Sequence, residues 1–227
     1  MSKLLNVSSS PHVRCGVSTK NLMYDVAIAM LPATIWGVMQ FGIYSLIVVV
    51  ATVLSCVLSE YLFETLMHKP VTISDGSALV TGMILGLNMP PAIPLWMPIL
   101  GGVFAIIVVK QLYGGLGQNW MNPALAARCF MLISFAQAMT KFTDPVTDAV
   151  ASATPLAAIK AGDTYDLAAM FIGKIPGTIG EVSVIALLIG AAYLLVKKVI
   201  TIRIPAAYIL SFAVFAFIFG QRFAAAD

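Results

Sequence analysis

The stretch DAVASATPL, residues 148 to 156, sets an acid, two hydroxyls and a proline between two long apolar segments. Thr154 followed by Pro155 has the form of a helix start, with a capping hydroxyl and a proline at the first helical position. The residues after it, PLAAIKAG, read as a short helix closed by Gly162. The same geometry binds phosphate, because the free N–H groups of a first turn face an anion. A phosphate esterified to the Thr154 hydroxyl would sit on the turn that Pro155 begins. Capping and phosphate attachment are compatible, and the residues alone leave both open.

Arg128, in MNPALAARCF, is the second candidate. A cation on a membrane helix costs roughly 3 kcal/mol or more unless it is paired or solvated, which marks it as functional by default. Snorkelling is the plainer alternative, weakened by the apolar residues that follow directly. Asn122-Pro123 starts the same helix as cap and first residue. The triplet NPA is similar to those at which half-helices meet in water channels, although it occurs here once. In VTISDGSALVTG, residues 71–82, Ser74 or Asp75 is expected to cap a short helix. Its Gly76, Gly82 and Gly86 would form a small-residue face for a close neighbour. Glu60 and Glu64 read as interfacial carboxylates near Lys69 rather than as an ion site. His12 and His68 lack metal-ligating company, and Cys15, Cys56 and Cys129 stand apart, so neither a disulfide framework nor a zinc or iron–sulfur site is supported. Ser–His–Asp sets, Walker loops and dinucleotide fingerprints are absent.

The elements that must position these residues are helices in lipid. The chain has 227 residues, 60% hydrophobic and only 10% charged, against about 25% charged in soluble domains. Apolar runs are expected at 22–39, 43–67, 76–89, 93–113, 123–139, 182–200 and 204–220. The run 76–89 is too short to span as a helix and is ended by Pro90 and Pro91. It is expected to be a tilted or half-depth helix that returns through 93–113 and faces the bundle interior. The fold class is therefore all-α and polytopic, with a broken hairpin. Lys3, Arg14, Lys20, Lys69, Lys110, Lys197, Lys198 and Arg203 fall on the N-terminal side, against Lys141, Lys160, Lys174 and Arg222 opposite. That bias puts the N-terminus in the cytoplasm and residues 140–181 outside. The small net charge of +3 gives no sign of a nucleic-acid partner.

SSSPHVRCGVSTKNLMYDVAIAMLPA, DGSALVTGMILGLNMPP, VKQLYGGLGQNWMNPALAAR and DAVASATPL together resemble one family. It unites the D subunit of the Rnf electron-transport complex with the B subunit of the sodium-pumping NADH:quinone reductase. The resemblance runs from residue 8 to about residue 200. It implies a motif D-x-x-S/T-G-A-T whose last Thr is joined to FMN through a phosphoester by a flavin transferase. Asp148, Ala153 and Thr154 match; Ala151 and Ser152 replace the usual Ser/Thr and Gly. By resemblance, Thr154 carries the FMN, flanked by Asp148, Ser152, Ala153 and Pro155, and Arg128 is a candidate flavin contact.

The family architecture of two five-helix halves implies a first half at about 21–140, an FMN loop at 140–181 and the start of a second half at 182–227, in a chain truncated from that plan. The implied function is a flavoprotein subunit of an ion-translocating ferredoxin:NAD⁺ oxidoreductase in the bacterial inner membrane. It relays electrons coupled to Na⁺ or H⁺ transport, beside other Rnf subunits that include a second FMN-bearing one. A non-covalent riboflavin is a further candidate cofactor. The rival reading is a channel or solute transporter without flavin.

Overall fold

The computed structural model describes residues 18–143, 150–151 and 167–224. Helices α1 (Thr19–Phe41) and α2 (Ile43–Leu66) are joined by Gly42 alone, whose φ of 83° permits the reversal. Ser18 caps α1 by accepting from the Asn21 N–H at 3.3 Å. Helix α3 (Ser77–Leu87) follows, then α4 (Trp96–Phe104), which runs on through a π-helical segment at Ala105–Lys110 and a tight turn at Gln111–Tyr113. Next come α5 (Pro123–Ser134), α6 (Ala136–Met139), α7 (Leu167–Ile172), α8 (Val184–Val196) and α9 (Arg203–Ala224). Strands β1 (Phe142–Thr143) and β2 (Val150–Ala151) pair antiparallel, with Phe142 opposite Ala151. The expected apolar segments are all helical, and α1, α2 and the continuous stretch Trp96–Tyr113 are long and apolar enough to cross a membrane. The protein is a polytopic helical membrane protein.

Small residues set the packing, as expected where lipid offers no hydrophobic drive between helices. A Cβ on Gly82 would lie 2.6 Å from the Val53 Cα, and one on Gly86 3.0 Å from that of Val49, so α3 lies directly on α2. Helix α8 reaches α1 in the same way: a side chain on Gly190 would run into the Ala29 carbonyl. The segment expected to open a second half thus packs on the first helix of the chain.

Helix α3 is short and broken, and irregular backbone carries it further. Residues 88–95 continue to Ile93, whose carbonyl accepts from the Tyr44 hydroxyl at 2.9 Å, level with the first turn of α2. From there α4 runs beside α2 in the same direction. Ser55 meets Ile99 midway, and Glu60 meets Lys110 near the far end. Tyr44 and Glu60 are about 24 Å apart along α2 by helical rise. Non-helical backbone at this depth must be satisfied by protein. The partner is the end of the expected outer segment: the Ile179 and Gly180 N–H groups donate to the Met89 and Leu87 carbonyls at 3.1 and 2.8 Å. Thr178, Ile179, Val182 and Ser183 are buried, so this stretch packs into the bundle with Glu181 at its surface.

Helix α9 differs from all of these. Ile204, Tyr208, Ile209, Leu210 and Phe212 are exposed around its whole circumference.

Candidate functional site

At the end of α3 nearer Lys110, four elements meet around a buried ion pair. The Lys110 ammonium donates to Glu60 Oε1 at 2.5 Å and to Ser77 Oγ at 2.6 Å. Lys110 is 2% exposed and Glu60 0%. Gln111 Nε2 donates to Glu60 Oε1 at 2.8 Å and to Glu64 Oε1 at 3.1 Å. Glu64 also accepts from the Thr72 N–H at 2.9 Å and hydroxyl at 2.5 Å. Asp75 accepts from the Ser77 N–H and hydroxyl, tying the start of α3 to the same network.

The sequence accounts for the geometry. Glu60 and Glu64 are four residues apart and share one face of α2. The π-helical segment ends at Lys110, so Lys110 and Gln111, neighbours in sequence, both turn toward that face. Inserted turns of this kind are frequent at functional sites. Ion pairing offsets a desolvation cost of several kcal/mol per ion, provided the remaining lone pairs and protons are also bonded. Here they nearly are: of the carboxylate oxygens of Glu60 and Glu64, Glu60 Oε2 alone is buried without a hydrogen-bond partner among the described residues.

A small cavity of about 140 Å³ adjoins this pair, lined by Ser77, Thr81, Lys110, Asn119 and Asn122 among others. Asn122 caps α5, its Oδ1 accepting from the Ala124 and Leu125 N–H groups at 3.0 and 3.3 Å, with Pro123 at the first helical position as expected.

At the other end of α3, Arg128 reaches inward from α5. Its guanidinium donates to Asn88 Oδ1 at 2.5 Å, while Asn88 Nδ2 donates to the Ile84 carbonyl at 2.7 Å. Among the described residues its partner is therefore a neutral amide and not a carboxylate. The same half holds two larger cavities. One, of about 390 Å³, lies between α1, α3 and α8, with Asn88, Thr178 and Glu181 in an otherwise apolar lining. The other, of about 600 Å³, is lined by Ala92–Pro94, Met97, residues 133–138 and Lys141, which directly precedes strand β1.

The sequence-derived candidates fare unequally. Arg128 is half-buried and bonded as above. Asp148, Ser152, Ala153, Thr154 and Pro155 lie outside the described residues, and so does the expected PLAAIKAG helix. Two expectations are corrected. Glu60 and Glu64 are not interfacial, being 0% and 2% exposed, because the α3–α4 hairpin covers that face of α2. Lys110, counted among the cations on the N-terminal side, is the buried partner of Glu60. Moving it leaves seven cationic side chains on the N-terminal side against four, so the bias keeps its sign. Sequence reasoning misplaces Lys110 because Gly114, Gly115 and Gly117 mark a turn just after it. The usable signal is the uninterrupted apolar run FAIIVV before it. Among the described residues no group of three or more His, Cys, Asp or Glu could hold a metal ion.

The chain is similar to components of redox-driven membrane complexes. It is 47% identical over 223 residues to the D subunit of the Na⁺-translocating ferredoxin:NAD⁺ oxidoreductase complex of Acetobacterium woodii, covering 96% of this chain and 70% of that one. It is 39% identical over 231 residues to the D subunit of the proton-translocating ferredoxin:NAD⁺ oxidoreductase complex of Clostridium ljungdahlii, with the same coverage. The D subunit of an ion-translocating oxidoreductase complex of Methanosarcina acetivorans is 31% identical over 218 residues, 96% of this chain and 70% of that one. With a family model matched from residue 6 to residue 227, the chain belongs to the NQR2, RnfD, RnfE family.

Proposed function

We propose that this protein is the membrane flavoprotein subunit of an ion-translocating ferredoxin:NAD⁺ oxidoreductase, carrying FMN through a phosphoester on Thr154. The observation that carries the reading is the similarity to the D subunits of two such complexes along 96% of this sequence. The residues near the attachment loop suit a tethered flavin. Thr154 follows Ala151 by three residues, a reach of at most about 11 Å. Ala151 pairs with Phe142, and Lys141 before it lines the 600 Å³ cavity. An apolar seat with a few polar groups is what a planar ring system needs. Ile93, Met97 and Phe135 would flank the isoalloxazine, with Lys141 and Gln137 within the same lining.

When bound, FMN supplies the electron-transfer chemistry, while the protein sets its position and surroundings. The residues of this chain orient the ring and exclude water. Arg128, nearer mid-membrane, would meet a ring carbonyl or a second flavin rather than the phosphate. A non-covalent riboflavin would suit the 390 Å³ cavity, where the buried Thr178 hydroxyl has no partner among the described residues. The complex would sit in the bacterial cytoplasmic membrane, with the N-terminus inside and the FMN loop outside, as the cation bias favours. Electron entry and exit belong to other subunits, one of them a second FMN carrier. A flavin transferase would install the FMN.

Ultraviolet illumination of the denatured band on a gel tests the covalent cofactor. The wild-type band should fluoresce yellow, Ser152→Ala should retain the signal at least in part, and Thr154→Val should be dark. A dark wild-type band from cells expressing the transferase would refute the assignment.

A further inference from the structure

The buried ion pair is not needed for a flavin at the opposite end of α3, yet it is enclosed, polar and beside a cavity. Lys110 Nζ uses two of its three donors, on Glu60 and Ser77, and faces the 140 Å³ cavity without a further partner among the described residues. Glu60 Oε2 is a buried acceptor with no hydrogen-bond partner among the described residues. The cavity is large enough for a few water molecules, and its Ser77, Thr81, Asn119 and Asn122 side chains give such waters polar partners. Asn119 and Asn122 lie in and after the Gly-rich turn that ends the α3–α4 hairpin, which sets them between the pair and the surface at that end.

We infer that Glu60 and Lys110, joined to water through this cavity, form a proton-loading site inside the bundle. Lys110 passes an N–H proton to Glu60, breaking one N–H bond and forming one O–H bond, and the resulting amine takes a proton from the adjoining water. The net change is one proton gained from the aqueous side, with Glu60 neutral and Lys110 again an ammonium. On release the Glu60 O–H bond breaks and the proton passes to a water or carboxylate on the side away from the cavity, leaving Glu60 a carboxylate beside the Lys110 ammonium. Intramembrane carboxylates and cations that pair with each other mark such relays.

The surrounding groups favour a proton over a metal cation. The seat facing Glu60 Oε1 is filled by an ammonium, so a metal cation entering there would meet a positive charge. The other ionisable groups facing the pair are Glu64 and Cys56 from α2, Asp75 before α3, and Lys69, which donates to the Gln111 carbonyl at 3.4 Å. The relatives from Acetobacterium woodii and Clostridium ljungdahlii carry different ions in their names, so similarity does not decide the matter.

The role of the site in transport rests on the proposed function, and the test separates the two. The whole complex is purified with wild-type chain, Glu60→Gln/Lys110→Met and Glu60→Asp, and reconstituted in liposomes containing a pH-sensitive dye. The paired substitution removes both charges and so keeps the bundle assembled. Flavin content and ferredoxin-dependent NAD⁺ reduction with a protonophore present should match wild type. Protons moved per electron should fall about tenfold or more in the double variant and be partly restored in Glu60→Asp. An unchanged proton ratio would overturn the inference. So would ²²Na⁺ movement in wild type with no primary proton movement. Wild-type complex that lacks flavin or electron transfer would instead contradict the functional reading, and the transport role would fall with it. Infrared difference spectra on a pH step give a readout free of turnover: a carboxylic-acid band must appear in wild type and be missing in the double variant, and its absence in wild type refutes the site.

Discussion

The two ends of helix α3 solve the same problem in different ways. Both bring a cation into a bundle surrounded by lipid. At the Ser77 end, Lys110 meets a carboxylate, and Gln111, Ser77, Thr72 and Asp75 bond the groups around it. The space left there is a cavity of about 140 Å³. At the Asn88 end, Arg128 meets a neutral amide, and cavities of about 390 and 600 Å³ lie in the same half of the molecule. The first end is a closed electrostatic unit, suited to holding or passing a proton. The second pairs a cation with Asn88, which lines the 390 Å³ cavity, an arrangement suited to a polar ligand. One helix separates the buried ion pair from the end at which a flavin is proposed.

The largest expected effect comes from breaking the closed end. Glu60→Gln or Lys110→Met alone leaves a buried charge without its partner and should cost about 3–5 kcal/mol. Glu60→Gln/Lys110→Met together should be close to neutral. Thermal unfolding of the purified protein or complex in detergent would show this, and equal losses in single and double variants would contradict a coupled pair. A smaller effect follows from separating α3 from α2. Because a Cβ at Gly82 would press on the Val53 backbone, Gly82→Ala should destabilise by about 1–3 kcal/mol through overpacking. Size-exclusion profiles on a heating series would detect it.

The open end should respond in function more than in stability. Arg128→Leu should leave the covalent Thr154–FMN bond intact and slow electron transfer through the complex. Arg128→Lys should restore only part of the rate, since a point charge cannot reproduce the planar fork. Wild-type turnover in Arg128→Leu would reduce the residue to a structural partner of Asn88. Sidedness is the mildest probe. A cysteine at Lys198 should react with a membrane-impermeant maleimide only in opened cells, and one at Lys174 should react in intact cells. The reverse pattern would invert the molecule.

Much of the architecture was legible because lipid imposes simple rules. Length and apolarity located the helices, Pro90 and Pro91 marked the break after α3, and Asn122-Pro123 marked the start of α5. Gly82 and Gly86 announced a close neighbour. What could not be read were contacts between residues far apart in the chain. Glu60 and Lys110 are fifty residues apart, and only the parallel course of α2 and α4 brings them together. The π-helical segment that turns Lys110 and Gln111 to the same side leaves no periodic trace in an unbroken apolar run. Likewise, nothing local marks Thr178, Ile179, Val182 and Ser183 as buried, because the segment is held by the open carbonyls of Leu87 and Met89. The candidate attachment residue stood out by chemistry and by resemblance, not by a fold rule.

The central claim is that Thr154 carries a flavin. Peptide mass mapping of the protein, isolated from cells expressing the flavin transferase, tests it most directly. The peptide spanning residues 148–156 should be heavier by one FMN less one water, with fragmentation placing the addition on Thr154. The Thr154→Val variant should yield only the unmodified peptide, and Asp148→Ala should lower the modified fraction. An unmodified wild-type peptide, or FMN found on Ser152, would contradict the account.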